Sequence, residues 1–351
     1  MREAALPRRS RFWLFLPFGL LAFLAAGWTA AWFVIRARTA EGLDNWLANE
    51  SVAGRRWDCP ERAIGGYPFR IEVACARVSL QSRDLAVTTG RLLTVTQIYT
   101  PRHTIAEFEG PVRVTGPGVT LEGAWSSLRA SIHRGPQALQ RASLVAEGPN
   151  LKASGLPVGA IAASARRFEA HLRPSPSLPE SDAAFELAAS AAEAVVPALD
   201  PILGGTEPIA AELQATVTQA RIAAARREEI ERWREAGGRI LVSALKLAKG
   251  PRRIEAKGEL ALDEMRRPSG RIEVAAAGLG DLLSTLTGGR MPGPTGGVLG
   301  SLLQPRNRPP PGGAASAEGA RLTPIPTIRL ENGRVLVGPF TVPGVRLQPL
   351  Y

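Results

Sequence analysis

The chain reads as a mainly β protein of the α+β class. The expected architecture is an N-terminal transmembrane helix followed by a large curved antiparallel β-sheet domain with one or two packed helices. Three observations predict it. Phe12–Ile35 carries no charged residue. Period-two alternation of apolar and polar side chains recurs over most of the remaining chain. One stretch alone, near residues 220–236, has a clear soluble helical pattern.

The apolar run comes first in the chain. A helix needs about 20 apolar residues to cross a hydrocarbon core, and FWLFLPFGLLAFLAAGWTAAWFVI exceeds that. Trp13 lies near one end, with Trp28, Trp32 and Phe33 toward the other, in the manner of interfacial belts. Pro17 falls in the first two turns, where a missing donor costs least. Arg2, Arg8, Arg9 and Arg11 precede the run, while Arg36 and Arg38 and then Glu41 and Asp44 come after it. The positive-inside rule therefore favours a cytoplasmic N-terminus. A cleaved signal peptide is the competing reading, but Trp32-Phe33-Val34-Ile35 continues past the small residues that could be cut. The expected organisation is a cytoplasmic stretch at 1–11, an uncleaved single-pass anchor at 12–35 in the inner (cytoplasmic) membrane, and a mainly β domain at 39–351 in the periplasm.

Strands are read next. Tyr67, Phe69, Ile71, Val73 and Cys75 alternate with polar Arg70 and Glu72, the pattern of a strand with one buried face. Further strands are expected near 78–88, 91–99, 104–115, 119–132, 141–147 and 240–248. In 254–263 Ile254, Ala256, Leu260 and Leu262 oppose Glu255, Lys257, Glu259 and Asp263, and Ile272, Val274 and Ala276 repeat the pattern. Asn332-Gly333 supplies the positive φ angles of a type I′ turn, so a hairpin is expected there. Between 180 and 220 the Ala content leaves helix and strand unseparated.

The helix at 220–236 has an apolar stripe of Ile222, Ile230 and Trp233. Opposite charges four apart, Arg227 with Glu231 and Glu228 with Arg232, support it. Its expected place is on a sheet by one face. A shorter helix is expected at 279–287. Residues 288–326 are dominated by Gly, Pro and Ser and read as a flexible insertion, since strand signals flank them.

Charge and motifs exclude more than they suggest. Arg2, Arg8, Arg9, Arg11, Arg36 and Arg38 account, against Glu3, for nearly half of the net +11. No basic stripe interleaved with aromatics remains, so nucleic acid is not an expected partner. His103, His133 and His171 lack metal-motif spacing. No nucleophile elbow, HExxH or phosphate loop is present. Glu107, Glu109 and Glu122 sit where a solvated strand face explains them. Neither an enzyme, a metal site nor a cofactor is expected.

Cys59 and Cys75 are the two cysteines of the chain. Their spacing suits neither a CxxC redox pair nor zinc, and outside the cytoplasm the simplest outcome is a disulfide. In the chain-entropy account it is worth about 3 kcal/mol. Gly65-Gly66 before Tyr67-Pro68 offers the bend that returns Cys59 to Cys75.

At these residues a resemblance emerges. Cys59, then Gly66-Tyr67-Pro68-Phe69-Arg70 and Cys75, shortly after an anchor, resembles the start of the bacterial envelope family called domain of unknown function 2125. The likeness continues in WREAGGRILV from Trp233, GELALD at 258–263, RPSGRIEV at 267–274 and LENGRVLVGP at 330–339. Lys249 departs from it, standing where an aromatic is expected. The family implies no catalytic residue. More distantly, an anchor followed by amphipathic G-x-L-x-L-D strands is similar to AsmA-like envelope proteins, which implies curved sheets and lipid handling. The expected function is non-enzymatic envelope maintenance, with lipid bound or conveyed along an apolar groove. The alternative is an interaction scaffold for envelope proteins, and an enzyme ranks third.

Overall fold

Good helix formers continue past the apolar run, and the first helix continues with them. In the computed structural model, which describes residues 12–136, 138–156, 159–179, 182–220, 227–278 and 322–351, α1 spans Phe12–Val52. That is about 60 Å at 1.5 Å per residue. It is long and apolar enough to cross a membrane. Phe15, Phe18, Leu21 and Phe23 on its first half are exposed.

The strands, numbered in chain order, are β1 (Arg56–Asp58), β2 (Ala63–Gly65), β3 (Arg70–Cys75), β4 (Val78–Gln81), β5 (Ala86–Thr89) and β6 (Leu92–Gln97). Next come β7 (His103–Phe108), β8 (Val112–Gly116), β9 (Val119–Ala124), β10 (Ser127–Arg134), β11 (Leu139–Glu147) and β12 (Asn150–Ser154). Then come β13 (Ile161–Ser164), β14 (Arg167–Pro174), β15 (Phe185–Ala194), β16 (Ile209–Val217), β17 (Ile240–Lys249) and β18 (Arg252–Leu262). The last are β19 (Pro268–Ala277), β20 (Thr323–Glu331), β21 (Arg334–Val337) and β22 (Phe340–Arg346). Between β15 and β16 lies the single helical turn α2 (Asp200–Leu203), and between β16 and β17 lies α3 (Arg227–Glu235).

All pairings are antiparallel, but they form two sheets where one was expected. Sheet A has the order β1-β4-β5-β8-β9-β12-β13, and sheet B runs from β2 and β3 to β22 through fifteen strands. The reason lies in short corners. The reading of 104–115 as one strand is divided at Glu109-Gly110-Pro111, and that of 119–132 at Trp125-Ser126. Each half then pairs in a different sheet. The backbone stays bonded through these corners, as in Gly90 N to Glu109 O and Ser126 N to Glu147 O. The two sheets are thus two halves of one folded meander.

Two further expectations shift. The strand expected from Tyr67 begins at Arg70, and Tyr67 and Phe69 lie in an exposed turn. The α3 pairs expected four apart give way to pairs three apart, Glu231 with Arg234 at 2.8 Å and Glu229 with Arg232 at 3.9 Å. Glu231 turns instead toward partners outside the helix. The ambiguous stretch 180–220 resolves into β15 and β16. β20 takes up residues 323–326 of the segment read as an insertion; its part at 288–321, the helix expected at 279–287 and residues 221–226 of the helix expected at 220–236, Ile222 among them, lie outside the described residues. Asn332 and Gly333 have φ of 53° and 73°, as the hairpin requires.

Candidate functional site

The strand registers place apolar residues side by side across sheet B. One row runs Val73, Thr94, Ala106, Ala130, Leu144, Ala170, Ala189, Leu213, Leu245, Ala256 and Val274. The neighbouring row runs Ile71, Thr96, Thr104, Ile132, Ala142, Leu172, Leu187, Ala215, Val242, Gly258 and Ile272, with the two threonine hydroxyls bonded to each other at 2.9 Å. Because side chains alternate faces, the opposite side of these strands is charged. There Arg167 meets Glu147 and Glu169, Arg173 meets Glu186 at 2.8 Å, and Lys257 meets Glu273 at 3.2 Å.

The apolar face is not sealed. Ile132 and Leu245 are more than a third exposed, and many of the other residues in these rows are half-buried. The fully buried apolar residues of the described chain are few and small, five of them alanine, with Trp32, Ile71, Cys75 and Ile209. Over β16–β20 the face is roofed. Ile230 and Trp233 of α3 stand above Val217, Ile240, Leu260 and Ile272, forming an open-sided groove of about 810 Å³, within the range of small-ligand sites. Glu229 and Arg232 give that groove a polar rim, and Glu229 Oε2 is buried there without a hydrogen-bond partner.

α3 is held by charge. Glu231 accepts from Arg234, from Arg266 Nε at 3.0 Å in the β18–β19 turn, and from the Tyr351 hydroxyl at 2.5 Å. These hydrogen bonds hold its carboxyl far below the ordinary carboxylate range. Trp233 Nε1 donates to Thr218 O at 2.7 Å. At the opposite margin of the face, the Lys249 ammonium is 1% exposed and pairs with Asp200 of α2. The position where an aromatic was expected therefore carries a buried ion pair.

The sequence-derived motif residues lie together at the other end, against α1. Cys59 and Cys75 form a disulfide with Cα atoms 5.2 Å apart, just where the chain passes between the sheets. Gly66 has φ +96°, and a Cβ there would lie 2.7 Å from Arg70 O, so the turn requires glycine. Each of the next four residues touches the helix. The Tyr67 hydroxyl shares a 2.8 Å hydrogen bond with Thr29, and its ring meets Trp32 edge-on. Pro68 O accepts from Trp28 Nε1 at 2.8 Å, and Phe69 lies 6.1 Å from the Trp28 ring. Arg70 O accepts from Trp32 Nε1 at 3.0 Å. Sequence reasoning missed this docking. Its available signal was the stripe Trp28, Trp32, Arg36, four apart on one helix face.

The three histidines are closer than their spacing suggests. His103 and His133 stack edge-on at 4.2 Å between ring centroids, and His171 of β14, two strands from His133, bonds Ser143 of the adjacent β11, all on the charged face. Among the described residues no group of three or more His, Cys, Asp or Glu is placed to hold a metal ion.

No curated protein and no solved structure matches the chain. A family model described as an uncharacterised protein conserved in bacteria, DUF2125, matches residues 32–345, which take in Trp32, the disulfide, the Gly66–Arg70 turn, α3 and the apolar face. The chain belongs to that family.

Proposed function

We propose that this is a non-enzymatic, membrane-anchored envelope protein that binds or conveys lipid along the apolar face of sheet B. In this reading α1 anchors it in the inner membrane and the sheets stand in the periplasm. The observation that carries the reading is the continuity of that face from β3, beside α1, to the groove under α3. Nine strand spacings of about 4.8 Å separate β3 from β18, roughly 40 Å of half-exposed apolar surface. Water against such a surface is unfavourable, and acyl chains would relieve the cost.

Two observations support the anchor and its compartment. Trp32 is buried against the domain and Trp28, Thr29 and Arg36 bond to it, a structural role that a cleaved leader would not need. The disulfide suits an oxidising compartment. A non-enzymatic role is supported by what displaces the carboxyls: Glu169 and Glu186 are lowered by arginine hydrogen bonds on the charged face, and Glu231 by the hydrogen bonds that fasten α3, structural contacts in each case.

Native mass spectrometry of the full-length chain tests the reading. The unaltered protein and the charged-face variant Glu212→Gln/Lys246→Gln should carry lipid adducts. The apolar-face variant Leu213→Glu/Leu245→Glu should lose them. Equal adducts on both variants would overturn the proposal.

A further inference from the structure

α1 and the chain after it run antiparallel, and this fixes where the sheets stand relative to a bilayer. Going up the helix, Trp28 bonds Pro68, Arg36 bonds Ile64, Asp44 pairs with Arg62 at 2.7 Å, and Trp46 meets Trp57 at 5.6 Å. The domain therefore lies beside the second half of α1, and its first contact is the Gly66–Arg70 turn.

The helix length then sets the depth of that turn. Arg11 bars the span from starting before Phe12. From Phe12 to Trp28 the helix rises about 24 Å, short of the ~30 Å of a hydrocarbon core. The core is completed only by the Trp28–Trp32 turn, and that is the turn against which Tyr67, Pro68 and Phe69 pack. Tyr67 and Phe69 are nonetheless 53% and 60% exposed, and so cannot owe their aromatic character to burial within the fold.

The next turn of sheet B extends the same surface. Ile98 N donates to Phe69 O at 3.0 Å, which sets the β6–β7 turn beside the first, and Tyr99 there is 66% exposed. Arg102 closes that turn and Arg134 opens the following one, joined by Arg134 N to Arg102 O at 2.9 Å, and both side chains are exposed. Aromatic rings with polar tips, backed by arginines, match an interface of acyl chain and anionic headgroup.

We infer that the Gly66–Arg70 and β6–β7 turns are a second membrane-contacting element, seated in the interfacial layer of the leaflet from which α1 emerges, with Arg102 and Arg134 at the phosphates of anionic phospholipid. The inference rests on α1 being a membrane anchor. It places the first apolar strand, β3, at the bilayer surface, so that lipid need not cross water to reach the apolar face.

The full-length chain in nanodiscs containing phosphatidylglycerol tests it, with brominated lipids as depth-dependent quenchers of a fluorophore on a single added cysteine. Phe23→Cys reports on the anchor, Pro101→Cys on the β6–β7 turn, and Pro117→Cys on the β8–β9 turn of sheet A. Emission at 23 should be quenched by bromine deep in the acyl chains. Emission at 101 should be quenched most by shallow bromine, and at 117 by neither. Loss of quenching at 101 in a Tyr67→Ser/Phe69→Ser/Tyr99→Ser background would confirm the aromatic wedge. Quenching at 23 with none at 101 overturns the inference and leaves the anchor standing. No quenching at 23 removes the anchor and the inference with it.

Discussion

Beside α1 the apolar face of sheet B ends against covalent and aromatic structure: the Cys59–Cys75 bond, Trp32 and the Gly66–Arg70 turn. At β16–β20 the same face ends under α3 and α2, each held by ionic contacts, Glu231 with Arg234, Arg266 and Tyr351, and Asp200 with Lys249. The first closure cannot open without breaking a bond or stripping a helix from the domain. The α3 contacts of the second can exchange exposed ion pairs for water at small cost, while its buried Lys249–Asp200 pair is costly to break. In the proposed lipid reading, the covalently closed end is the fixed one and the α3 end is the one that yields.

The largest effect is expected where charge is deepest. Asp200→Ala strands the buried Lys249 ammonium and should destabilise the domain by roughly 3 kcal/mol. Adding Lys249→Met should restore most of that, because no buried charge is left unpaired. Denaturant unfolding of the nanodisc-bound chain reads both. Equal loss in the single and double variants would show that the ion pair does not close the distal end.

The proximal end should respond comparably to loss of its staple. Cys59→Ser/Cys75→Ser is expected to cost about 3 kcal/mol, and reductant should then have no further effect on the melting temperature. Gly66→Ala comes next, at ~2 kcal/mol, since alanine there meets both a positive φ and the Arg70 carbonyl. Faster proteolysis near residues 63–70, with α3 unaffected, would sharpen the separation of the two ends.

The smallest effect is local. Glu231→Gln should leave global unfolding nearly unchanged while raising hydrogen exchange over 227–235. The pH sign comes from the depressed carboxyl. The contribution of Glu231 is fully present above its ordinary 4.5 and is lost as pH falls below that value toward the folded pKa. Exchange over α3, corrected for intrinsic rate, should therefore rise on acidification in the unaltered protein and not in the Gln variant.

The sequence disclosed the fold unevenly, for physical reasons. Alternation in 254–263 locates β18 and its apolar Ile254, Ala256 and Leu260, because one face of a strand is charged and the other is not. The division into two sheets was hidden. Phe108 and Val112 straddle a three-residue corner with their parity kept, so the bend leaves no break in the pattern. Tyr67 and Phe69 misled in the opposite way. They continue the alternation of Ile71 and Val73, yet they stand outside the strand in the exposed turn that meets α1. Of the candidate site, the disulfide was legible from compartment and spacing. The α3 latch was not, since Arg266 and Tyr351 lie 35 and 120 residues from Glu231.

The central claim is that one side of sheet B meets lipid and the other does not. Photo-crosslinking in intact cells tests it directly, with a photoreactive residue replacing Leu213 or Leu245 on one face and Glu212 or Lys246 on the other, all on β16 and β17 far from α1. Phospholipid adducts at 213 and 245, and none at 212 and 246, are the predicted result. Adducts at neither pair, or equally at both, would contradict it.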